Sequence, residues 1–124
     1  MRKNVTDLQP WECLMKKIVW KQLGDIRDKK ILDFGSGIGI TANYLAEHND
    51  VTAIEPDEDS IKERWADNQY TQIVGSTEEL RKFESETFDM IICHNVLEYV
   101  EHRAELIAEF HRLLKKDGIL SITD

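Results

Sequence analysis

The chain has 124 residues, with 16 Lys and Arg against 24 Asp and Glu and a formal net charge of −8. That length suits one domain with one sizeable core, and 41% apolar residues are too many for a disordered chain. No apolar run approaches the ~18 residues of a membrane span, the opening MRKNVTDLQPWE lacks the apolar stretch of a secretory signal, and the acidic balance argues against a nonspecific nucleic-acid binder.

Residues 7–23 carry helical periodicity. Thr6 or Asp7 can cap this helix, Pro10 fits its first turn and Gly24 can end it. Trp11, Leu14, Met15, Ile18 and Leu23 recur at helical spacing and are expected to face the core. Lys30–Phe34 is a short apolar strand running into a glycine loop, and residues 38–48 read as a helix. Residues 51–54 form a second strand, after which Asp57 caps a helix that carries Ile61 and Trp65 four apart. Trp65 is expected to pack against the sheet edge.

Thr71–Val74 is a third strand. Ser76 and Glu79 then have the spacing of a capping box, and the acidic run 77–86 reads as a solvated helix and loop. Residues 88–93 form a fourth strand whose run MIIC is apolar without alternation, as in a strand covered on both faces. Residues 102–115 are a periodic helix through Leu106, Ile107, Phe110, Leu113 and Leu114. Lys115 and Lys116 suit its C-terminal end, and Gly118 lies just beyond. Residues 119–123 are a fifth strand.

Alternating strands and helices predict an α/β, doubly wound, mostly parallel sheet with helices on both faces. Residues 1–24 form an N-terminal helical segment of the one domain, and residues 30–124 form its five-stranded core. Ligands in such sheets bind at the carboxyl ends of the strands, so the loops after Phe34, Ile54, Val74 and Cys93 should carry function. Cys13 and Cys93 lack metal-ligand spacing and read as reduced, buried thiols of a cytoplasmic protein. His48, His102 and His111 read as surface residues, and no metal is expected.

The first functional loop is Asp33-Phe34-Gly35-Ser36-Gly37-Ile38-Gly39. Its glycines allow close backbone approach to a ligand, and the next helix offers free N–H groups. Ile40 stands where a dinucleotide-binding G-x-G-x-x-G would place its last glycine. Glu55 ends the next strand 16 residues after Gly39, where its carboxylate can accept both hydroxyls of a ribose.

Here the chain resembles the class I S-adenosylmethionine-dependent methyltransferases. The resemblance rests on KILDFGSGIGITANYLA, VTAIEPDEDSI, FDMIICHNVLEYV and ELIAEFHRLLKKDGILSIT, in the family's order across residues 30–124. It implies a Rossmann-like fold and S-adenosylmethionine as cofactor, with S-adenosylhomocysteine as product. By resemblance, Asp33, Gly35, Ser36, Gly37 and Gly39 surround the methionine portion, with Asp33 near its cationic amino group. Glu55 holds the ribose, Pro56 and Asp57 flank the adenine, and Ser76 and Thr77 occupy the adenine-contact position. His94 and Asn95 line the cofactor and the acceptor. An N-terminal helix covers the cofactor in many members, which would make Trp11 part of a lid; core packing is the simpler expectation.

Departures from the family narrow the chemistry. KKDG stands where many members carry KPGG, and Gly118 keeps the turn. His94-Asn95-Val96-Leu97 lacks the Pro-Pro-aromatic motif of adenine and glutamine amino methylation, and no Pro-Cys pair marks a cysteine nucleophile. The sulfonium methyl is a good electrophile, so the protein mainly orients a nucleophile and excludes water. His94 is the base candidate, because an imidazole can titrate near neutrality, and Asn95 is a positioning group.

The expected function is methyl transfer to a small-molecule acceptor, with no nucleic acid or membrane partner. The family's sheet usually continues with a helix and an antiparallel strand pair. A sequence that stops after the fifth strand is therefore expected to be truncated and to form a homo-oligomer, a dimer through that strand. The alternatives are a non-catalytic cofactor-binding or assembly module and, more weakly, an NAD-dependent oxidoreductase.

Overall fold

In the computed structural model, which describes residues 5–94 and 101–123, the apolar runs become strands that lie side by side. The strands are β1 (Lys30–Phe34), β2 (Asp50–Glu55), β3 (Thr71–Val74), β4 (Phe88–His94) and β5 (Leu114–Thr123). They alternate with helices α1 (Pro10–Leu23), α2 (Ile40–Ala46), α3 (Glu58–Lys62) and α4 (Arg103–Leu113). Short 3-10 turns cover Val5–Asp7 and Thr77–Lys82. The sheet runs β3-β2-β1-β4-β5, and every pairing is parallel. Strand order reverses between β1 and β4, which opens a crevice at their carboxyl ends.

Period-two alternation sends each central strand into two cores. Leu32, Phe34, Ile54, Ile91 and Cys93 point to one face and meet Leu80, Leu106, Phe110 and Leu113. Ile31, Val51, Ala53, Met90 and Ile92 point to the other and meet Ala42, Leu45 and Tyr70. Burial on both faces is why the MIIC run shows no alternation of polarity.

The first helix departs from expectation in its orientation. It starts at Pro10, and the N-cap position is taken by Gln9 rather than by Thr6 or Asp7. None of its residues is buried, and Trp11, Leu14, Met15 and Ile18 are 67%, 58%, 56% and 44% exposed. The opposite side of the helix faces the protein. Trp20 stacks on Tyr44 with ring centroids 3.9 Å apart, and its indole N–H donates to Thr41 Oγ1 at 3.3 Å. Leu23 joins the second core. These contacts set the rotation of α1 and turn its apolar stripe to solvent.

Other boundaries shift for local reasons. The second predicted helix is shorter, because Ile38 stays in the glycine loop and its carbonyl accepts the Trp65 N–H at 2.7 Å. α3 ends at Lys62, yet Trp65 is buried behind that loop rather than along a helix face. The Ser76–Glu79 capping box does not form. Glu78 instead accepts the Ser76 N–H at 3.0 Å, and Glu79 pairs with Lys82 at 2.9 Å. α4 stops at Leu113, and β5 starts at once. Register slips from Phe88↔Leu114 to Met90↔Ile119, so residues 115–118 bulge opposite Asp89. Lys115 therefore pairs with Asp89 at 3.3 Å instead of closing a helix.

Among the described residues no helix is long and apolar enough to cross a membrane, and no cluster could hold a metal ion. His48, His102 and His111 are exposed.

Candidate functional site

Because all five strands are parallel, their carboxyl ends meet along one edge, and the loops that follow β1 and β2 lie side by side there. Asp33, the buried residue just before the end of β1, is 5% exposed. The chain then turns sharply. The Gly35 and Ser36 N–H groups both donate to the Ile54 carbonyl of β2, at 2.8 and 3.1 Å. Gly39 enters α2 in the left-handed region, with φ of 76°. A Cβ there would collide with the Tyr70 hydroxyl, which donates to the Trp65 carbonyl at 2.6 Å. Glycine is thus required twice over at position 39, for its conformation and for its contact. Gly37, at φ of 58°, faces open space.

Glu55 ties this loop to the next one. One carboxylate oxygen accepts the Gly37 N–H at 2.8 Å, and the other accepts the Asp57 N–H at 2.9 Å. Each oxygen keeps a free lone pair, so the group can still receive two hydroxyl donors. Asp57 caps α3, accepting from the Asp59 N–H at 3.2 Å and the Ser60 hydroxyl at 2.8 Å. Pro56 is exposed beside it. The structure therefore brings together Asp33, Gly35, Ser36, Gly37, Gly39, Glu55, Pro56 and Asp57.

Ser76 and Thr77 follow Gly75, whose N–H donates to the Glu55 carbonyl at 3.1 Å. They line a cavity of about 760 Å³ between the 3-10 turn and α4, whose walls include none of the glycine-loop residues. Another hollow of about 770 Å³ surrounds Lys30, Asp50 and Asp89 at the amino ends of the strands. Neither cavity is lined by the glycine loop, the buried Asp33 or Glu55, which meet at the carboxyl edge.

Electrostatics single out the same place. Burial pushes the Asp33 carboxyl up to about 7; the Lys16 ammonium of α1 opposes the shift and Glu55 adds to it. Burial, reinforced by Asp33, also pushes the Cys93 thiol up to about 11, so Cys93 is an inert core residue. His94 corrects the expectation of a ring titrating near neutrality. Burial, with Lys16 assisting, lowers its pKa to about 4, so the ring is neutral at pH 7. Its Nε2 lies 2.9 Å from Ser121 Oγ on β5. Asn95, the other predicted pocket residue after β4, lies outside the described residues.

Two participants escaped the sequence reading. Lys16 sits four residues before Trp20 on the inward side of α1, but that side is identifiable only once the direction of the apolar stripe is known. Ser121 sits between apolar neighbours in the stretch ILSIT, and a hydroxyl flanked by Leu120 and Ile122 is a signal that could have found it.

A family described as "Methyltransferase domain" matches residues 32–122. A curated relative, the ubiquinone biosynthesis O-methyltransferase of Photobacterium profundum, is 32% identical over 103 residues, covering 77% of this chain and 43% of the relative. The chain spans less than half the length of the curated relatives that it matches. Two solved structures share the fold. An S-adenosylmethionine-dependent methyltransferase from Mesorhizobium loti superposes with a TM-score of 0.71 at 22% identity, over 96% of this chain and 55% of that one. Phosphoethanolamine N-methyltransferase 1 of Haemonchus contortus, in complex with phosphoethanolamine and S-adenosylhomocysteine, gives 0.72 at 21% identity, over 82% and 24%.

Proposed function

The chain belongs to the methyltransferase domain family, whose cofactor is S-adenosylmethionine, and from that premise we propose that it transfers a methyl group to a small molecule at the edge formed by Asp33, the glycine loop and Glu55. The observation that carries the reading is the pairing of a buried carboxylate with a glycine loop clamped by a second carboxylate. Asp33 is raised to about 7 because burial disfavours its charge, and a cationic group beside it would stabilise the anion. The α-amino group of S-adenosylmethionine is such a cation. Glu55 has the two free acceptor positions that a ribose needs. Ser36 Oγ is buried without a hydrogen-bond partner, an orphan that a polar ligand atom would satisfy.

When bound, the cofactor supplies an electrophilic methyl group on a sulfonium. The residues of this chain then hold the nucleophile in line and exclude water. His94 is unprotonated at pH 7 and accepts a hydrogen bond from the acceptor. A base of pKa about 4 is weak. It suffices because the proton of the nucleophile becomes strongly acidic only as the methyl bond forms. We assign Asn95 to positioning beside it. Asp57 and Pro56 border the base-binding side, and we assign Ser76 and Thr77 to that side as well, because the loop after β3 leaves beside Glu55, with the Gly75 N–H on the Glu55 carbonyl. The curated relatives make an oxygen acceptor the first to test.

Calorimetry with S-adenosylhomocysteine and with NAD is the decisive experiment. S-adenosylhomocysteine should bind and NAD should not; the reverse result would sink the reading. Glu55→Ala removes an acceptor that spans two backbone donors, each such charged hydrogen bond being worth about 1.5–3 kcal/mol. Its affinity for S-adenosylhomocysteine should fall about 100-fold.

We also propose a homodimer through β5. That strand is the sheet edge, and Ile119 and Ile122 are 57% and 37% exposed on it. Light scattering should report a dimer that Ile119→Lys converts to monomer; a wild-type monomer at high concentration excludes the interface. Cys13 and Cys93 are both unbonded, which suits a reducing compartment, and we place the protein in the cytoplasm.

A further inference from the structure

His94 closes β4 at the candidate site, and one of its two ring nitrogens, Nε2, meets Ser121. In the β4–β5 register, His94 stands opposite Thr123, and Ile92 stands opposite Ser121. Ser121 and Thr123 share a face, because side chains on a strand alternate. The ring reaches back by one such step and places Nε2 2.9 Å from Ser121 Oγ. The contact engages Nε2 and not Nδ1.

A serine hydroxyl can donate or accept, so two arrangements satisfy this contact. In one, Ser121 donates to Nε2, and Nδ1 carries the hydrogen. In the other, Nε2–H donates to Ser121, and Nδ1 offers a lone pair. The second keeps the tautomer that neutral imidazole side chains favour. Among the described residues, Lys16 of α1 is the charged group that acts on this ring, and a cation nearby disfavours its protonated form.

We propose that Ser121 is a positioning residue that accepts the Nε2–H of His94 and so presents Nδ1 to the site as a hydrogen-bond acceptor. This rests on the reading of the edge as a methyl-transfer site. It deepens that reading by naming a substrate class. The acceptor molecule carries a hydrogen on its nucleophilic atom, as a hydroxyl, a thiol or a neutral primary or secondary amine does; an acceptor without one gains nothing from Nδ1. Ser121 acts only through the ring, as outer partners of histidines commonly do when they fix a tautomer.

The test is two-bond ¹H–¹⁵N correlation spectroscopy of the full chain labelled at histidine, for the wild type, Ser121→Ala and Ser121→Thr. The wild type should show His94 as the Nε2–H tautomer at pH 7. The threonine variant, which keeps the hydroxyl, should retain it, and the alanine variant should show a mixture of tautomers. An Nδ1–H signature in the wild type, or an alanine spectrum identical to it, overturns the proposal. Should the alanine variant unfold, the wild-type and threonine spectra decide on the same criteria. Calorimetry with S-adenosylhomocysteine on the wild type separates the two readings. The expected tautomer without cofactor binding sinks the function and leaves the His94–Ser121 geometry standing. Binding with the wrong tautomer sinks only the positioning role.

Discussion

Asp33→Asn should make the protein more stable above pH 7 and at the same time cost it most of its affinity for S-adenosylhomocysteine. The Asp33 carboxyl is raised from 3.8 to about 7 in the folded chain, chiefly by burial. In the unfolded chain it ionises near pH 4. Between those values the folded protein holds a proton that the unfolded chain has released. Stability therefore falls as pH rises from about 4 to 7, and the whole penalty is present above 7. Roughly three pH units correspond to about 4 kcal/mol. A buried asparagine carries its own cost of about 1–3 kcal/mol, so a net gain of about 1–3 kcal/mol is expected at pH 8. Below pH 4, where the wild-type carboxyl is neutral in both states, that gain should vanish.

Urea denaturation of both proteins at pH 4 and pH 8 measures the difference. An identical difference at the two pH values would show that Asp33 carries no such penalty. Binding supplies the complement. The cationic amino group of S-adenosylhomocysteine needs the carboxylate, so wild-type affinity should fall about tenfold per pH unit below 7. In Asp33→Asn affinity should be at least about 100-fold weaker with that pH dependence absent. A gain in stability on losing a functional charge is what a strained site predicts.

Phe110→Ala should cost about 3–5 kcal/mol, the range for emptying a buried phenylalanine site. Phe110 is fully buried in the first core and meets Phe34 edge to face, with centroids 5.5 Å apart. Phe34 immediately precedes Gly35, so the same contact supports the strand end that carries the glycine loop. Thermal unfolding should drop by roughly 10–20 °C. Trp11→Ala is the matched control. Trp11 is 67% exposed, so its removal should change stability by no more than about 0.5 kcal/mol. Equal losses in the two variants would contradict the outward orientation of α1.

Much of the architecture was legible in the sequence because its signals are local. Lys30–Phe34 and Thr71–Val74 match their predicted bounds, since short apolar β-favouring runs between turn residues have few other uses. Asp57 caps α3 as expected, because an N-cap needs only its own side chain and the next two residues. The glycine spacing and Glu55 pointed to one edge of the sheet, and the structure joins them by a hydrogen bond from the Gly37 N–H. The missed details were nonlocal. The end of α4 depends on the pairing of β5 with β4, and the failed capping box depends on which of two neighbouring glutamates is free to turn back.

The titration of His94 was out of reach for the same reason. Its imidazole begins near 6.5, and only the burial supplied by the folded chain, aided by an ammonium from α1, takes it to about 4. Sequence alone determined the strand and helix order, the parallel sheet and the position of the glycine loop with its acidic partner, because each follows from periodicity or from the stereochemistry of a few adjacent residues. Only the tertiary structure decided which way α1 turns and which groups are buried beside Asp33 and His94. Periodicity shows that a helix has an apolar side, but not what that side meets. The charge state of a side chain depends on neighbours that the fold, not the chain order, brings close.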